Sequence, residues 1–215
     1  HVSWYDAIAF ANTLSVLTGR EECYGNNDDP SVDFEQLYAP DDLDAQFLTP
    51  YDCTGFRLLT EAEWEYAARS GTTSEFWTGQ GSALGGTYSS NSNTGTDTIV
   101  DGVSNPLLRD YAWYRGNNSN QYGAYGSKEV GQKLPNGFGL YDVHGNLWEW
   151  TADWYGCSFP PTSTDPHCNS TGSQRVVRGG HWDSSNPSSI RTSYRTKNNT
   201  EHRSDGIGFR IVLPL

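Results

Sequence analysis

The stretch PNGFGLYDVHGNLWEW, residues 135–150, decides how this chain folds. It sets glycines between large aromatic side chains, which is typical of a tightly turned segment that packs into a core. Asn146 and Glu149 supply side-chain oxygens, and together with the carbonyl of Leu147 they can form a site for a hard cation such as calcium. Alternatively, both side chains cap and brace the turn while the tryptophans fill the core.

Three further motifs accompany this stretch. Residues 56–69 read FRLLTEAEWEYAAR, in which Thr60 and Glu63 predict a capping box at the start of a helix. Residues 178–182 read RGGHW, which indicates a turn. Residues 208–213 read GFRIVL and predict a strand.

The remainder of the chain carries one more periodic segment and much irregular sequence. Apolar residues recur with helical spacing over residues 3–14, behind Ser3 as a candidate N-cap. Residues 25–52 form an aspartate-rich stretch that we interpret as a solvated insertion, because its spacing does not match a calcium-binding EF-hand loop. Residues 71–110 are rich in glycine, serine, threonine and asparagine and are predicted to be a loop.

These motifs together resemble the formylglycine-generating enzyme and sulfatase-modifying-factor family. They follow the family's order from Val2 to Val212. The resemblance implies an α+β, C-type-lectin-like fold with two helices, small twisted antiparallel sheets and many loops. We expect residues 1–215 to form a single domain of this kind that lacks the family's N-terminal strands.

The resemblance carries different implications for two metals. It favours calcium, because the family places this ion at the positions of Asn146, the Leu147 carbonyl and Glu149. The family's enzymes bind copper through two cysteines that follow the RGG turn, and these positions are Ser184 and Ser189 here. A hydroxyl does not replace a thiolate as a ligand for Cu(I) or in thiol chemistry. We therefore expect no copper and no formylglycine-generating activity, and we assign no catalytic residue.

The chain contains four cysteines, which allow two disulfides. Cys23 and Cys53 flank one polar loop, and Cys157 and Cys168 flank another, so we predict these two local pairs. Disulfides form in oxidising compartments, which favours a secreted or cell-surface protein. Free thiols in a cytoplasmic protein are the open alternative.

Charge and composition exclude several classes of function. Lysine and arginine number 14 against 26 aspartates and glutamates, and the resulting net charge of −12 repels nucleic acid. No apolar stretch reaches the roughly 18 residues that a membrane-spanning helix needs. The histidines show no HExxH spacing, and no phosphate-binding glycine loop is present.

Residues 181–205 have an unusual composition. Apart from Trp182, Pro187, Lys197, Glu201 and the arginines, every residue is Asn, Asp, His, Tyr, Ser, Thr or Ile. This is the set that an asparagine codon reaches when one of its adenines changes. The pattern resembles the variable proteins of diversity-generating retroelements, many of which use this same lectin-like fold. The resemblance implies that segment 181–205 is a variable ligand-binding surface whose side chains are adaptable contact residues.

The candidate contact residues are those of the variable set, whereas the arginines are framework. We expect Arg191, Arg195 and Arg210 to brace the structure by pairing with acidic side chains. The candidate ligand-binding residues are His181, Asp183, Ser184, Ser185, Asn186, Ser188, Ser189, Ile190, Thr192, Tyr194, Thr196, Asn198, Asn199, His202, Ser204 and Asp205.

Three functional interpretations stay open at this point. The first is a non-catalytic ligand-binding protein, diversified by a retroelement, whose partner is a protein or surface ligand. The second is a surface or complex-assembly component without diversification, because turn chemistry alone also enriches surface loops in Asn, Ser, Thr and Asp. The third is an oxidoreductase-like enzyme of divergent mechanism.

Overall fold

The computed structural model describes residues 1–24, 49–78, 108–118, 125–157, 163–168, 172–185 and 187–214. Within these ranges the helices are α1 (Trp4–Leu17), α2 (Glu61–Arg69) and the short α3 (Leu108–Tyr111). The strands are β1 (Arg57–Leu58), β2 (Trp148–Trp154), β3 (Gln174–Arg178), β4 (Arg195–Asn199), β5 (Ile207–Phe209) and β6 (Ile211–Val212). The predicted α+β class is confirmed. No helix in the described part of the chain is long and apolar enough to cross a membrane.

The two main helices begin where the sequence predicts. The Oγ of Ser3 accepts the Asp6 N–H at 3.1 Å, and the Asp6 carboxylate accepts the Ser3 N–H at 2.7 Å. The same reciprocal box links Thr60 and Glu63 at the start of α2. Helix α1 runs past the periodic residues 3–14 to Leu17, and Gly19 with φ +71° follows its C-cap. Such boxes satisfy backbone donors that a helix start otherwise leaves unpaired.

The predicted loops are described only in part. Residues 25–48 and 79–107 lie outside the described residues, so the interpretation of the aspartate-rich stretch is untested. The predicted loop over residues 71–110 extends too far along the chain, because helix α3 begins at Leu108. Leu108 and Tyr111 are buried in a cluster with Phe76, and this packing stabilises a short helix that local sequence alone does not predict.

The strands form one mixed sheet and one smaller antiparallel sheet. The larger sheet has the order β4-β3-β2-β5, and the smaller sheet pairs β1 with β6. The expected antiparallel pairing holds for β1–β6, β2–β3 and β3–β4, whereas β5 runs parallel to β2, with Trp148 opposite Ile207. The single predicted strand over residues 208–213 is divided at Arg210, where the chain passes from the larger sheet to the smaller one.

The larger sheet lies between α1 and α2. Trp150 and Val177 pack against Ile8 of α1 in one core cluster. Glu149 lies on the opposite face, where its Oε2 accepts the indole N–H of Trp64 from α2 at 2.6 Å. Adjacent side chains of β2 therefore pack against α1 and α2 in turn, because successive residues of a strand point to opposite faces of the sheet.

A buried network of opposite charges joins α2 to the sheet. Arg178 at the end of β3 has a side chain that is 0% exposed, and its Nε lies 3.6 Å from Glu61 Oε1. Its Nη2 donates to Glu65, and its Nη1 donates to the Tyr194 carbonyl at 2.5 Å. Arg195 of β4 pairs with the other oxygen of Glu61 at 2.6 Å. Burial raises the pKa of Glu61 and lowers the pKa of Arg178, so the network contributes mainly by fixing geometry.

The four cysteines form the two predicted disulfides. Cys23 is bonded to Cys53, and Cys157 is bonded to Cys168. Both bridges close local loops and restrict the unfolded chain.

His144 lies in the core beneath residues 187–190. Its side chain packs against the rings of Phe76 and Tyr111, with ring centroids 5.2 and 5.6 Å away. The His144 Nδ1 lies 2.6 Å from the carbonyl oxygen of Ile190. Because a carbonyl only accepts, Nδ1 carries the proton, and the buried Nε2 has no hydrogen-bond partner in the described part of the chain. Burial lowers the pKa of His144 to about 4.

Replacement of Arg178 tests the buried network. We expect Arg178→Gln to lower the free energy of unfolding by about 3–5 kcal/mol, because it leaves Glu61 and Glu65 without their shared partner. The matched control is Arg203→Gln, which removes an ion pair with Asp6 in which both side chains are largely exposed and should cost less than about 1 kcal/mol. Urea denaturation measures both, and equal losses would contradict the assigned role of Arg178.

A second prediction concerns acid stability. The pKa of His144 is depressed to about 4 in the folded protein, whereas an unfolded histidine titrates near 6.5. The unfolded chain therefore binds the extra proton between these two values, and stability falls as the pH drops from 6.5 towards 4, by about 3 kcal/mol. In His144→Asn, whose amide N–H is able to replace the Nδ1 donor, this part of the pH dependence should disappear. Identical pH profiles of unfolding free energy for both proteins would refute the assignment.

Candidate functional site

Two glycine turns anchor the start of segment 181–205. The N–H of Gly145 donates to the carbonyl of Gly179 at 2.7 Å, and the N–H of Trp182 donates to the carbonyl of Asn146 at 2.8 Å. Gly180 has φ +77°, and a Cβ at this position would lie 2.0 Å from Cγ2 of Ile190. The GNLWE and RGGHW motifs therefore form one connected unit that sets where the segment leaves β3.

The segment then forms a 3₁₀ turn, Pro187–Ile190, before the edge strand β4 and a final loop that leads to β5. Most of its candidate contact residues reach the surface. Ser185, Asn199, His202 and Asp205 are exposed. The partly exposed candidates are His181, Asp183, Ser188, Ser189, Tyr194, Thr196, Asn198 and Ser204. Asn186 lies outside the described residues.

Three candidate residues lie inside the protein in this structure. Ile190 is 0% exposed and packs in the cluster of Phe76 and its neighbours. Thr192 is also 0% exposed, and its hydroxyl donates to the Glu75 carbonyl at 2.9 Å. Ser184 is 5% exposed, and its Oγ accepts the His181 N–H at 3.1 Å. These side chains support the surface from below, and a ligand that docks on it does not reach them.

The framework arginines have the predicted structural role. Arg191 pairs with Glu75 at 2.7 Å, and Arg195 pairs with Glu61 as described above. Arg210 Nη2 lies 2.7 Å from Glu149 Oε1. Each pair ties a position in or after the segment to a residue outside it, which confirms the prediction of bracing.

An aromatic row lies at and just beneath the surface. We use this name for Tyr194, Trp148, His181, Trp182 and Tyr125, whose successive ring centroids are 5.9, 6.0, 5.8 and 4.8 Å apart. Trp148 and Tyr125 belong to the chain outside the segment, and Tyr125 is 48% exposed. Trp148 also packs against the core cluster of Trp150, in line with one of the two interpretations of its motif. Nothing in the local sequence indicates that residue 125 approaches residue 182.

Asp183 is held by two residues from outside the segment. Arg115 Nε and Nη2 donate to its two carboxylate oxygens at 2.7 and 2.9 Å. The hydroxyl of Tyr125 donates to the same carboxylate. The hydrogen bonds from Arg115 hold the pKa of Asp183 below its usual value. Sequence reasoning missed Arg115, since 68 residues separate it from Asp183.

The side chains of the predicted calcium ligands Asn146 and Glu149 both form hydrogen bonds within the protein. Asn146 Oδ1 accepts the Lys128 N–H at 2.9 Å, and Asn146 Nδ2 donates to the Lys128 carbonyl at 3.2 Å, so this side chain braces the turn. The Glu149 carboxylate accepts from Arg210 and Trp64. Within the described residues, no group of three or more His, Cys, Asp or Glu side chains converges on one point.

Asp142, which sequence reasoning did not select, lies near Glu149. It is 7% exposed, and its Oδ2 accepts the Gly131 N–H at 2.8 Å. Its Oδ1 is buried and has no hydrogen-bond partner in the described part of the chain. Burial raises the pKa of Asp142, and the negative charge of Glu149 raises it further. Asp142 Oδ1 is thus an unsatisfied buried oxygen of the kind that a hard cation accepts, whereas both Glu149 oxygens already accept from Arg210 or Trp64.

Comparison with known proteins places this geometry in a family. The family model for a sulfatase-modifying factor enzyme 1-like domain matches residues 1–215. The chaperone protein LppX of Paenibacillus barcinonensis is 30% identical over 212 residues, which cover 98% of this chain and 68% of that protein. The formylglycine-generating enzyme of Streptomyces coelicolor is 34% identical over 163 residues, which cover 74% of this chain but only 46% of the enzyme.

Among solved structures, Treponema denticola variable protein 1 is similar, with a TM-score of 0.65 and 34% identity. The match covers 98% of this chain and 68% of that protein. The predicted lectin-like scaffold is thus shared with a variable protein as well as with enzymes. The whole-length family match and the LppX relationship show that the chain belongs to the sulfatase-modifying factor enzyme 1-like domain family, the family of the formylglycine-generating enzymes.

Proposed function

We propose that this chain is a non-catalytic ligand-binding protein whose contact surface is the outward-facing part of segment 181–205. One observation carries the proposal. The framework residues of the segment are paired or packed into the protein, whereas most residues of the asparagine-derived set reach the surface. Such an arrangement lets contact side chains vary without loss of the fold, as rigid scaffolds do for binding loops. The similarity to a variable protein supports diversification of this surface by a retroelement.

The cysteine chemistry supports the non-catalytic part of the proposal. All four cysteines of the chain are in disulfides, and the positions that carry thiols in the related enzymes are Ser184 and Ser189. The Ser184 hydroxyl lies against His181 rather than beside a soft ligand. No thiolate pair is therefore present to bind Cu(I). The disulfides also support a secreted or cell-surface location.

A second candidate is a partner-binding component without diversification. The observation that favours it is the similarity to LppX, a chaperone protein, over 98% of the chain. In that case the same surface recognises one protein partner. The acidic charge of −12 argues against nucleic acid as the partner in both cases.

Paired display libraries test the proposed surface. One library randomises Ser185, Asn199 and His202 with the asparagine-derived set, and the control library randomises the exposed residues Thr13, Thr18 and Arg20 in the same way. We expect selection against a panel of unrelated proteins to yield specific binders from the first library only. A third library at Ile190 and Thr192 should lose folded protein, because these side chains are buried. Binders from the control library at an equal rate would refute the assignment of the surface.

We also propose a calcium ion held by Asp142, Glu149 and the carbonyl of Leu147. When bound, the ion neutralises the Asp142 carboxylate beside the Glu149–Arg210 ion pair and stabilises the turn that anchors the segment. The amide oxygen of Asn146 accepts the Lys128 N–H in this structure, and its role as a calcium ligand stays a prediction.

Thermal denaturation tests the calcium proposal. With calcium at about 100 times its Kd, we expect the wild-type Tm to rise by about 5 °C or more, and magnesium to have a smaller effect. Asp142→Asn keeps an acceptor for the Gly131 N–H but removes a charge, and should abolish the rise. The exposed Glu22→Gln serves as the control and should retain it. An unchanged wild-type Tm in calcium would exclude the site.

A further inference from the structure

Arg115 stands at the edge of the proposed surface and points its guanidinium into it. It begins a 3₁₀ turn, Arg115–Asn117, and its backbone N–H donates to the Ser184 carbonyl at 3.2 Å. The backbone is therefore fixed against the segment, independently of what the side chain binds. The side chain makes the two parallel hydrogen bonds to Asp183 described above and is still 38% exposed. A bidentate guanidinium–carboxylate contact is the geometry in which arginine recognises carboxylate, sulfate and phosphate groups.

The acceptor in this contact, Asp183, belongs to the variable set, whereas neither of the two donors belongs to it. Asp183 lies in segment 181–205, but Arg115 and Tyr125 lie outside it. Of the residue types in the set, only aspartate carries a negative charge at neutral pH. Every other residue type at position 183 leaves the Arg115 guanidinium and the Tyr125 hydroxyl without their carboxylate. Both donors would then face solvent at the surface where a ligand docks.

Among the described residues, no acidic side chain other than Asp183 forms an ion pair with Arg115. Two framework arginines of the segment have acidic partners of their own. Arg191 pairs with Glu75, and Arg203 pairs with Asp6. The other carboxylate near the aromatic row is Asp205, whose backbone carbonyl accepts the Trp182 indole N–H at 3.3 Å. The ion pair that the structure gives Arg115 is with Asp183 alone among the described residues.

We propose that Arg115 and Tyr125 form a constant anion-binding site of this surface, which Asp183 masks in this chain. The residue at position 183 then sets the charge class of the ligand. With aspartate the site is internally neutralised, and with an uncharged residue it takes a carboxylate or sulfate group of the ligand. This inference rests on the proposed ligand-binding function and names a ligand class for the same surface.

The test uses the full chain with its disulfides intact and a hexaglutamate peptide as the probe at low ionic strength. Binding is followed by NMR, including the Nε–H signal of Arg115. We expect Asp183→Asn to bind the peptide about tenfold more tightly than wild type, because a charge-assisted bidentate contact becomes available to it. Asp205→Asn is the matched control, since it removes the same charge from the same surface without releasing a guanidinium. It should change affinity less than about threefold.

The double variant Asp183→Asn/Arg115→Gln locates the effect. It should lose the gain, and the Arg115 Nε–H signal should shift on titration in the single variant only. Asp183→Ser repeats the test with a different side chain, and melting curves confirm that each variant is folded. Equal gains in Asp183→Asn and Asp205→Asn, or a gain that survives Arg115→Gln, would overturn the inference. The outcome does not depend on the display libraries, so success here with failure there would leave an anion site without the proposed role in recognition.

Discussion

The ion pairs of Arg178 with Glu61 and Glu65 are the constraint on which the candidate surface depends. A guanidinium without solvent exposure has to keep its acidic partners, because separation leaves charges in a medium of low polarity. The same side chain donates to the Tyr194 carbonyl, and Glu61 also holds Arg195. The end of β3, the start of β4 and helix α2 are thereby held at one point. Segment 181–205 leaves β3 beside this point and meets it again at Tyr194 and Arg195, where β4 begins.

Between these two held points, the segment separates into residues that support the surface and residues that face solvent. Ile190 and Thr192 fill space beneath it, and His144 satisfies the carbonyl of Ile190 from below. The outward-facing residues do not fill space in the core in this way. The resemblance places the reactive thiols of the related enzymes at Ser184 and Ser189, and in this chain the aromatic row and the Arg115–Asp183 pair lie in the same region. Under the proposed function, adaptable polar and aromatic contacts replace a soft-metal site in this region.

Sequence reasoning succeeded where the signal is local. The boxes at Ser3 and Thr60 involve residues three positions apart, and the disulfides join cysteines that flank single loops. The bracing arginines were identified because they repeat among residues of another kind. The parallel β2–β5 pairing, the approach of Arg115 to Asp183 and the proximity of Asp142 to Glu149 depend on how distant segments pack. Composition also does not separate Ile190 and Thr192 from exposed neighbours of the same set, because burial is set by the whole fold.

The central claim is that the outward positions of segment 181–205 vary while its framework is fixed. Sequencing the gene region for this segment, with its flanking DNA, across many cells of the source population tests it most directly. The account predicts adenine-directed substitutions clustered at codons such as those of Asp183, Ser185 and Asn199, with Trp182 and Arg191 unchanged. It also predicts a nearby reverse transcriptase gene and a near-repeat of the segment that differs at adenines. An invariant segment without such a repeat would contradict diversification and favour a dedicated partner-binding role.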